Sequence, residues 1–285
     1  MIKFLIAARR KREDTQERYF YEWGIINVAL LLSTPAVMDL FRRYAQHYSV
    51  SGISNDMLNH PLSEMEWDSL TDHWVLNDAD LLTSVTHPQY LARLKPHQFR
   101  DSAVTIQIAE SAVIYDSHSS ATSGVKLIHF LKRRADVSQG IFNRVFQNQH
   151  ANVVTDVVQS TGIVRKYVQN SPHAIGAAMF AGTPFQGGGV NTYAGMEEYW
   201  FDSVEHLARL RRDTNMYEAI RRSENDFVDP EGSFSMVTTE RVIFDYTLGE
   251  RSSPRAAILN PCSLEAAVFR QGLRGWNHPS VPGSA

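Results

Sequence analysis

Met1-Ile2-Lys3-Phe4-Leu5-Ile6 opens the chain, and Val125-Lys126-Leu127-Ile128-His129-Phe130 repeats its pattern 123 positions later. Aromatic and amide residues recur at the same offset in three further pairs, Trp23 with Phe146, Tyr44 with Tyr167 and Gln46 with Gln169. A repeat of this length predicts a duplicated domain rather than a short solenoid unit. Identical residues are few, so the alternative is a chance likeness between two β-α patterns.

Length and composition are those of a folded protein with two ordinary domains. The chain has 285 residues, of which 43% are hydrophobic and 21% are charged. A net charge of -3 gives no reason to expect a nucleic acid or an anionic membrane as partner. The basic runs 9–12 and 132–134 follow the first strand of each copy, so we interpret them as solvated loop ends.

The compartment is predicted from what the sequence lacks. No apolar run approaches the roughly 20 residues that span a bilayer, and the N-terminus lacks the pattern of a secretory signal. Cys262 is the single cysteine, which excludes an intramolecular disulfide and a zinc site built on several cysteines. We therefore expect a cytoplasmic protein with no membrane contact.

Each copy has the order strand, helix, strand, strand, helix, strand. In the first copy we predict strands at 2–8, 40–48, 63–76 and 104–115, with helices at 16–32 and from Asp78. In the second we predict strands at 125–131, 163–170, 192–202 and 234–245, with helices at 138–156 and 203–222. This is the ferredoxin-like split motif, whose helices cover one face of its sheet and leave the other face bare. We predict an α+β fold in which two β-α-β-β-α-β repeats pack sheet to sheet as an intramolecular α+β barrel.

This division gives two repeats, a C-terminal tail and one long loop. We expect a degenerate first repeat at 1–120, a second repeat at 121–247 and a tail at 248–285, whose amphipathic stretch 263–273 is predicted to strap the barrel. Residues 171–191 include Gly187–Gly189 and Phe180, and predict a lid that closes over the site of the second repeat. A plain surface loop is the alternative, and a phosphate cradle is disfavoured because no Lys-Ser/Thr follows the glycines.

Copy two resembles the EthD family of the dimeric α+β barrel superfamily. Phe146-Gln147-Asn148-Gln149-His150-Ala151-Asn152 is similar to the family's helix motif, in which an aromatic residue precedes His-Ala-Pro by three residues. Gly162–Asn170 and Ala194–Ser203 are similar to its motifs on the second and third strands. Asn152 stands where the family has proline, and the second-strand motif has one extra residue before its tyrosine. In copy one Asn27 replaces the motif histidine, and His87-Pro88-Gln89-Tyr90 resembles a His-Pro-x-His turn of related barrels.

The resemblance implies a fold firmly and a reaction loosely. Members of the family are usually cofactor-free and include polyketide decarboxylases, cyclases, dehydratase-like lyases and an accessory protein of ether degradation. We therefore expect no cofactor, a small hydrophobic or aromatic substrate, and either a monomer or a homodimer.

Three residues are the candidates for catalysis. His150 ends an amphipathic helix, and an imidazole near its free pKa of about 6.5 exchanges protons at neutral pH. Tyr167 could hold a substrate carbonyl or phenolate, and Asn170 could orient either group. Each could instead be a structural residue of a helix end or core.

Further polar and aromatic residues are candidates for substrate binding, although each of them could be a core residue. They are His129, Tyr199, Phe146, Phe180, Asn27, Tyr44, His47 and Tyr90. No H-x-H or H-x-x-x-H pair lies on one element, so we expect no metal, and a heme site is disfavoured too.

Two classes of function stay open. The first is a lyase, decarboxylase or cyclase that uses His150 in the second copy, and the second is a non-catalytic binding or accessory protein for a hydrophobic metabolite. Hydrogen bonds between His150 and Tyr167 or Asn170 favour the first, and a dry pocket with His150 facing solvent favours the second. No Gly-x-Ser-x-Gly elbow, dinucleotide fingerprint or Walker loop is present.

Overall fold

The computed structural model describes residues 1–117 and 124–247, without the side chain of Thr214. The predicted strap over the barrel, the tail at 248–285 with Cys262, and His118 lie outside these residues. No helix of the described part is both long enough and apolar enough to cross a bilayer.

The first half of the described chain contains four strands and five helices. The strands are β1 (Ile2–Arg10), β2 (Arg43–Ser49), β3 (Ser69–Val75) and β4 (Arg100–Asp116). The helices are α1 (Gln16–Tyr21), α2 (Val28–Leu32), α3 (Pro35–Met38), α4 (Asp78–Thr86) and α5 (Pro88–Leu94). A π-helical turn, Glu22–Asn27, joins α1 to α2, and a 3-10 turn spans Asn55–Met57.

The second half has the same plan with one extra short strand. Its strands are β5 (Val125–Arg133), β6 (Val164–Pro172), β7 (Gly189–Val190), β8 (Gly195–Phe201) and β9 (Val228–Asp245). Its helices are α6 (Gln139–Arg144), α7 (Ala151–Thr161), α8 (Val204–Arg212) and α9 (Thr214–Glu224). The π-helical turn Val145–His150 joins α6 to α7, and a 3-10 turn spans Ala177–Phe180.

Eight antiparallel strands close into one barrel. The order is β2-β3-β1-β4 in the first half and β6-β8-β5-β9 in the second, so corresponding strands take corresponding places. The halves join along both edges, where β2 pairs with β9 and β4 pairs with β6, and β7 pairs in parallel with β4 outside the barrel. The predicted intramolecular α+β barrel is therefore confirmed, and its two sheets are hydrogen-bonded edge to edge as well as packed.

Local sequence explains where the helices begin and break. Thr15 and Ser138 cap the first helix of each half by accepting backbone N–H groups of Arg18 and Ile141. Each predicted second helix is divided in two, by Pro88 at the start of α5 and by Asp213, which caps α9. Both π-helical turns fall at matching places, and π-helical turns are frequent at functional sites.

Successive side chains of a strand point to opposite faces of the sheet, so the barrel strands present two different sets of residues. Lys3, Asp72 and Glu198 point into the barrel, where Lys3 of the first half meets Glu198 of the second. Their neighbours Phe4 and Tyr199 point outward into the two apolar layers under the helices. The charged interior and the helix-covered layers are therefore separate environments.

The long connections cross from one half to the other. The segment after β2, residues 50–68, packs Leu58 and Met57 against the helix-covered layer of the second half. The 171–191 segment packs Phe180 and Phe185 against Phe4 of the first half, at ring distances of 5.5 and 5.4 Å. The prediction that this segment covers the second half was wrong, because β6 ends beside β4 and the chain leaves over the first half.

Candidate functional site

Glu197 is a fully buried carboxylate on β8, between the sheet and the helices of the second half. His150 Nε2 lies 2.7 Å from its Oε1, which also accepts a hydrogen bond from Tyr167 Oη. Tyr199 Oη donates to the other oxygen at 3.0 Å, and His129 Nδ1 lies 3.3 Å from that oxygen. We call these five residues the Glu197 cluster.

The structure brings His150 and Tyr167 together, although Glu197 stands between them. His150 is fully buried at the end of the π-helical turn, and its second nitrogen, Nδ1, lies 2.7 Å from Ser223 Oγ. Tyr167 accepts a hydrogen bond of 2.8 Å from Gln169 Nε2. Both nitrogens of His150 are therefore engaged, and the ring does not face solvent.

Phe146 forms the wall beside the cluster. Its ring stacks on His150 at 6.1 Å, and its carbonyl oxygen accepts the second hydrogen bond of the Gln169 amide at 2.8 Å. The predicted substrate-binding aromatic is thus a packing residue that fixes His150 and Tyr167.

The pKa values of His150 and His129 are shifted in opposite directions by their surroundings. Burial alone would lower the pKa of His150, but Glu197 outweighs burial and holds that pKa above its ordinary value. Burial dominates at His129 and lowers its pKa, with His60 adding to the effect. Burial would raise the pKa of Glu197, but His150 and His129 hold it below its ordinary value. The cluster therefore pairs a carboxylate with one imidazole whose pKa is raised and one whose pKa is lowered.

Burial and Glu197 together raise the pKa of both Tyr167 and Tyr199 well above that of a free phenol. Both hydroxyl groups therefore stay protonated and act as hydrogen-bond donors to the carboxylate.

A narrow cleft reaches the cluster from the side of α8 and α9. Its cavity volume is about 20 Å³, which is room for one water molecule. Two members of the cluster, His129 and Tyr199, line the cleft. The other lining residues include Met57 of the 50–68 segment, Leu127 of β5, and Leu207, Arg211 and Ile220 of the two helices. A larger ligand requires movement of the 50–68 segment or the helix pair.

A second group of metal-ligating side chains adjoins the cluster. His60, His129 and Glu224 are buried and offer ligand atoms that all lie within 4.8 Å of one another. His60 comes from the 50–68 segment and Glu224 from the end of α9. These residues could hold a metal ion.

Asn170 and His47 lie on the opposite face of the sheet, inside the barrel. The expectation that Asn170 joins His150 and Tyr167 was wrong, whereas His47 was a candidate for a second pocket in the first half. Asn170 Nδ2 donates to Glu198 at 2.7 Å, and His47 Nε2 lies 3.3 Å from Asp72. Asn170 stands three residues after Tyr167, and an odd spacing along a strand reverses the face.

The first half builds the same scaffold without counterparts of Glu197, His129 and His150. Gln46 Nε2 donates to Tyr44 Oη at 2.9 Å and to the carbonyl oxygen of Trp23, as Gln169 does to Tyr167 and Phe146. Strand register equates Thr71 with Glu197 and Ile6 with His129, since Thr71 pairs with Ile6 as Glu197 pairs with His129.

The remaining candidates lie in or beside the apolar layer of the first half. Tyr44 stacks on His73 at 4.6 Å, and Tyr90 and Phe180 belong to the same apolar layer. Asn27 is half-buried on the π-helical turn, where His150 stands in the second half. None of these four contacts the Glu197 cluster within the described residues.

Sequence reasoning missed Glu197, His60 and Glu224. The available signal was Glu197-Glu198, two adjacent carboxylates within a strand that also carries Met196 and Trp200. Carboxylates are almost never fully buried unless they are paired. His60 and Glu224 lie in a loop and at a helix end, where no periodicity marks them.

Comparison with known proteins agrees with this architecture. Residues 134–231 match the family model described as the EthD domain. No curated protein matches the sequence significantly. An anthrone oxidase-like protein superposes with a TM-score of 0.58 at 11% identity, over 88% of this chain and 96% of that chain.

Two further solved structures align over most of their length. A protein of Fusobacterium nucleatum subsp. nucleatum whose description names a monooxygenase has a TM-score of 0.50 at 6% identity, over 85% of this chain and 93% of that chain. A mutant chlorite dismutase from Candidatus Nitrospira defluvii has a TM-score of 0.44 at 10% identity, over 84% and 91%. The first two likenesses show a shared fold, and the family match shows that this chain contains an EthD domain at residues 134–231.

Proposed function

We propose that this protein is an enzyme that transfers protons on a small hydrophobic molecule, as a lyase, decarboxylase or cyclase. The observation that carries the proposal is the buried Glu197 carboxylate between His150 and His129, whose pKa values are shifted in opposite directions. Groups whose environments push their pKa values apart are suited to separate acid and base roles. The first half folds without these groups, so the barrel does not require them.

His129 is the proton acceptor in this proposal. It lines the cleft, and its Nε2 has no hydrogen-bond partner among the described residues, while Nδ1 faces Glu197. When Nε2 takes a proton from the substrate, the carboxylate stabilises the imidazolium that forms. His150 and Tyr167 hold Glu197 in place, and the proton returns to another atom of the substrate in the second step.

The cleft favours an apolar molecule that carries an anionic group. Leu127, Leu207 and Ile220 supply apolar walls, and the Arg211 guanidinium lies among the lining residues. Arg211 Nε has no hydrogen-bond partner in the described part of the chain, and its group stacks on Tyr217 at 3.5 Å. A carboxylate or phenolate would match such a cation.

The alternative is an accessory protein that binds a hydrophobic metabolite without changing it. Two observations favour it, the small volume of the cleft and the engagement of both His150 nitrogens. The enzyme proposal also treats residues 1–120 and 121–247 as copies of one unit. The second copy keeps the reactive groups.

Hydrogen–deuterium exchange separates the two functions. Anthrone and 1-hydroxy-2-naphthoic acid serve as probes, the first chosen from the description of the similar structure and the second for its carboxylate. In D2O, proton NMR should show faster exchange at the anthrone methylene, or loss of carboxylate from the naphthoate, than buffer alone gives. His129→Gln and Glu197→Gln should lower either rate by about 100-fold or more, and Asn27→Ala should not. Saturable binding without either reaction would establish the accessory function instead.

A further inference from the structure

We infer that His60, His129 and Glu224 bind one divalent transition-metal ion of the zinc type at the inner end of the cleft. This inference uses the cleft of the proposed function and adds a ligand to it. It departs from the metal-free site expected from the sequence, because the three ligands come from separate elements and form no spaced motif.

One pair of ligand atoms already has the spacing of a tetrahedral site, and the third ligand atom lies near them. His60 Nε2 lies 3.4 Å from Glu224 Oε2, and the ligand atoms of all three residues lie within 4.8 Å of one another. Bonds of about 2.0–2.1 Å at tetrahedral angles place two ligand atoms about 3.3 Å apart. Two imidazoles and one carboxylate select zinc-like metals over Ca²⁺ and Mg²⁺, which prefer oxygen ligands.

Several ligand atoms of these three residues are buried and lack a hydrogen-bond partner. His60, His129 and Glu224 are only 2, 1 and 4% exposed. Within the described residues, both nitrogens of His60, Nε2 of His129 and Oε1 of Glu224 accept or donate no hydrogen bond. Buried polar atoms of this kind are costly, and their convergence on one point calls for a ligand there.

Glu197 prepares His129 as a ligand. The carboxylate lies 3.3 Å from Nδ1 of His129, which places the ring proton on Nδ1 and leaves the lone pair on Nε2. The ring centroids of His60 and His129 lie 5.0 Å apart with an interplanar angle of 87°, so the rings contact each other edge to face and do not stack. This is the arrangement in which a second carboxylate orients a metal-bound histidine.

An ion held by three protein ligands keeps a fourth position for water or substrate. The cleft that His129 lines gives this position an exit. A bound ion lowers the pKa of its water toward neutrality, so that water can replace the His129 nitrogen as proton acceptor. The ion-free protein keeps His129 Nε2 for the same step, so the proposed function does not depend on the ion.

Metal titration tests the site directly. We would strip the purified protein with a chelator, add Co²⁺ or Zn²⁺, and measure binding by calorimetry and the visible bands of tetrahedral Co²⁺. The expected result is one ion per chain with tetrahedral Co²⁺ bands. His60→Gln and Glu224→Gln should each weaken binding by about 100-fold, and Glu197→Gln should weaken it by about 10- to 100-fold although it removes no ligand.

His173→Ala is the matched control. His173 contacts Asp78 and Glu110 at 2.8 and 3.0 Å on the surface, so it offers a competing cluster outside the cleft. Loss of binding in this variant, with retention in His60→Gln, would overturn the inference. So would octahedral Co²⁺ bands, or no binding by a wild-type chain whose circular dichroism shows it folded. Probe exchange that persists in the ion-free protein would leave the proposed function standing in that event.

Discussion

At the scale of single residues, the Glu197 carboxylate joins side chains from β5, β6 and the π-helical turn into one buried cluster. His150 and Tyr167 were recognised from their motifs, and both contact Glu197. Glu197 itself was not recognised, because its importance depends on burial and on partners from β5, β6 and the π-helical turn. Asn170 was misplaced because the motif gives its order along the strand but not the face on which it lies. Motifs identify side chains, and strand parity decides which of them meet.

Replacement of His150 should affect the reaction more than the equivalent change in the first half. His150→Ala removes the imidazole that hydrogen-bonds Glu197 and opposes the effect of burial on the pKa of that carboxyl group, so probe exchange should fall by about 100-fold or more. Asn27→Ala should keep most of the rate, because Asn27 lies in the half that lacks counterparts of Glu197, His129 and His150. Exchange rates measured on both variants, beside their melting temperatures, check this. Equal losses in the two variants would show that the halves contribute alike.

His73 should make the protein sensitive to mild acid. Burial lowers the pKa of His73 from 6.5 to about 4, with Asp72 opposing the shift. Because the folded pKa is the lower one, the unfolded chain binds the proton first, and stability falls as pH drops from about 6.5 towards 4. The loss from this residue is about 2 kcal/mol at about pH 5. Urea unfolding of wild type and His73→Phe at pH 7.5 and pH 5 measures it.

His73→Phe keeps a ring against Tyr44 and Phe41 but removes the titrating nitrogen, so its stability should change less between the two pH values. His47 and His129 also have burial-lowered pKa values and contribute in the same direction, so the variant should retain part of the loss. An unchanged pH dependence in His73→Phe would assign the whole effect to the other groups.

At the scale of elements, the strand order and the helix positions were predictable and the connections were not. Apolar periodicity located every strand of the barrel within a few residues, since each strand buries a regular set of side chains. The 171–191 segment has no such period, and its destination follows from the β4–β6 pairing between the halves. Long-range pairing of this kind is invisible to local patterns. The segment therefore belongs to the core of the first half.

Phe180 should accordingly contribute to stability and have little effect on the site. Its ring is 1% exposed and stacks on Phe4, so Phe180→Ala should cost about 3–5 kcal/mol. A change of that size lowers the melting temperature by roughly 10 °C in a protein of this size. Met57→Ala, in the segment that does line the cleft, should instead change the KM of the exchange reaction. If Phe180→Ala alters the kinetics at a temperature where the variant is folded, the result would support the prediction that residues 171–191 form a lid over the second half.

At the scale of the whole molecule, a charged network holds the two halves together inside the barrel. Lys3 and Lys126 occupy equivalent positions on β1 and β5, and both contact the Glu198 carboxylate. Arg43 contacts Asp72 and Glu240, each at 2.8 Å, and so links β2 to β3 and β9. Three cations thus face three carboxylates inside the barrel, beside Asn170, His47 and an apolar cluster that includes Leu5 and Phe130. Lys126 and Lys3 hold the pKa of Glu198 below its ordinary value although burial opposes them.

Removal of one partner from this network should destabilise the barrel more than any exposed ion pair can. Lys3→Met leaves Asp72 and Glu198 short of a buried cation, and breaking a buried pair in this way costs about 3–5 kcal/mol. Arg134→Ala, which breaks the exposed pair with Asp136, should cost less than about 1 kcal/mol. Glu198→Gln combined with Lys3→Met should cost less than the two single losses added together, because the second change removes the charge that the first leaves unpaired. Urea unfolding of the two single variants and their combination measures this double-mutant cycle, and Arg134→Ala is its control. Additive losses would mean that Lys3 and Glu198 do not interact across the barrel, and the link between its halves would then rest on the strand pairings alone.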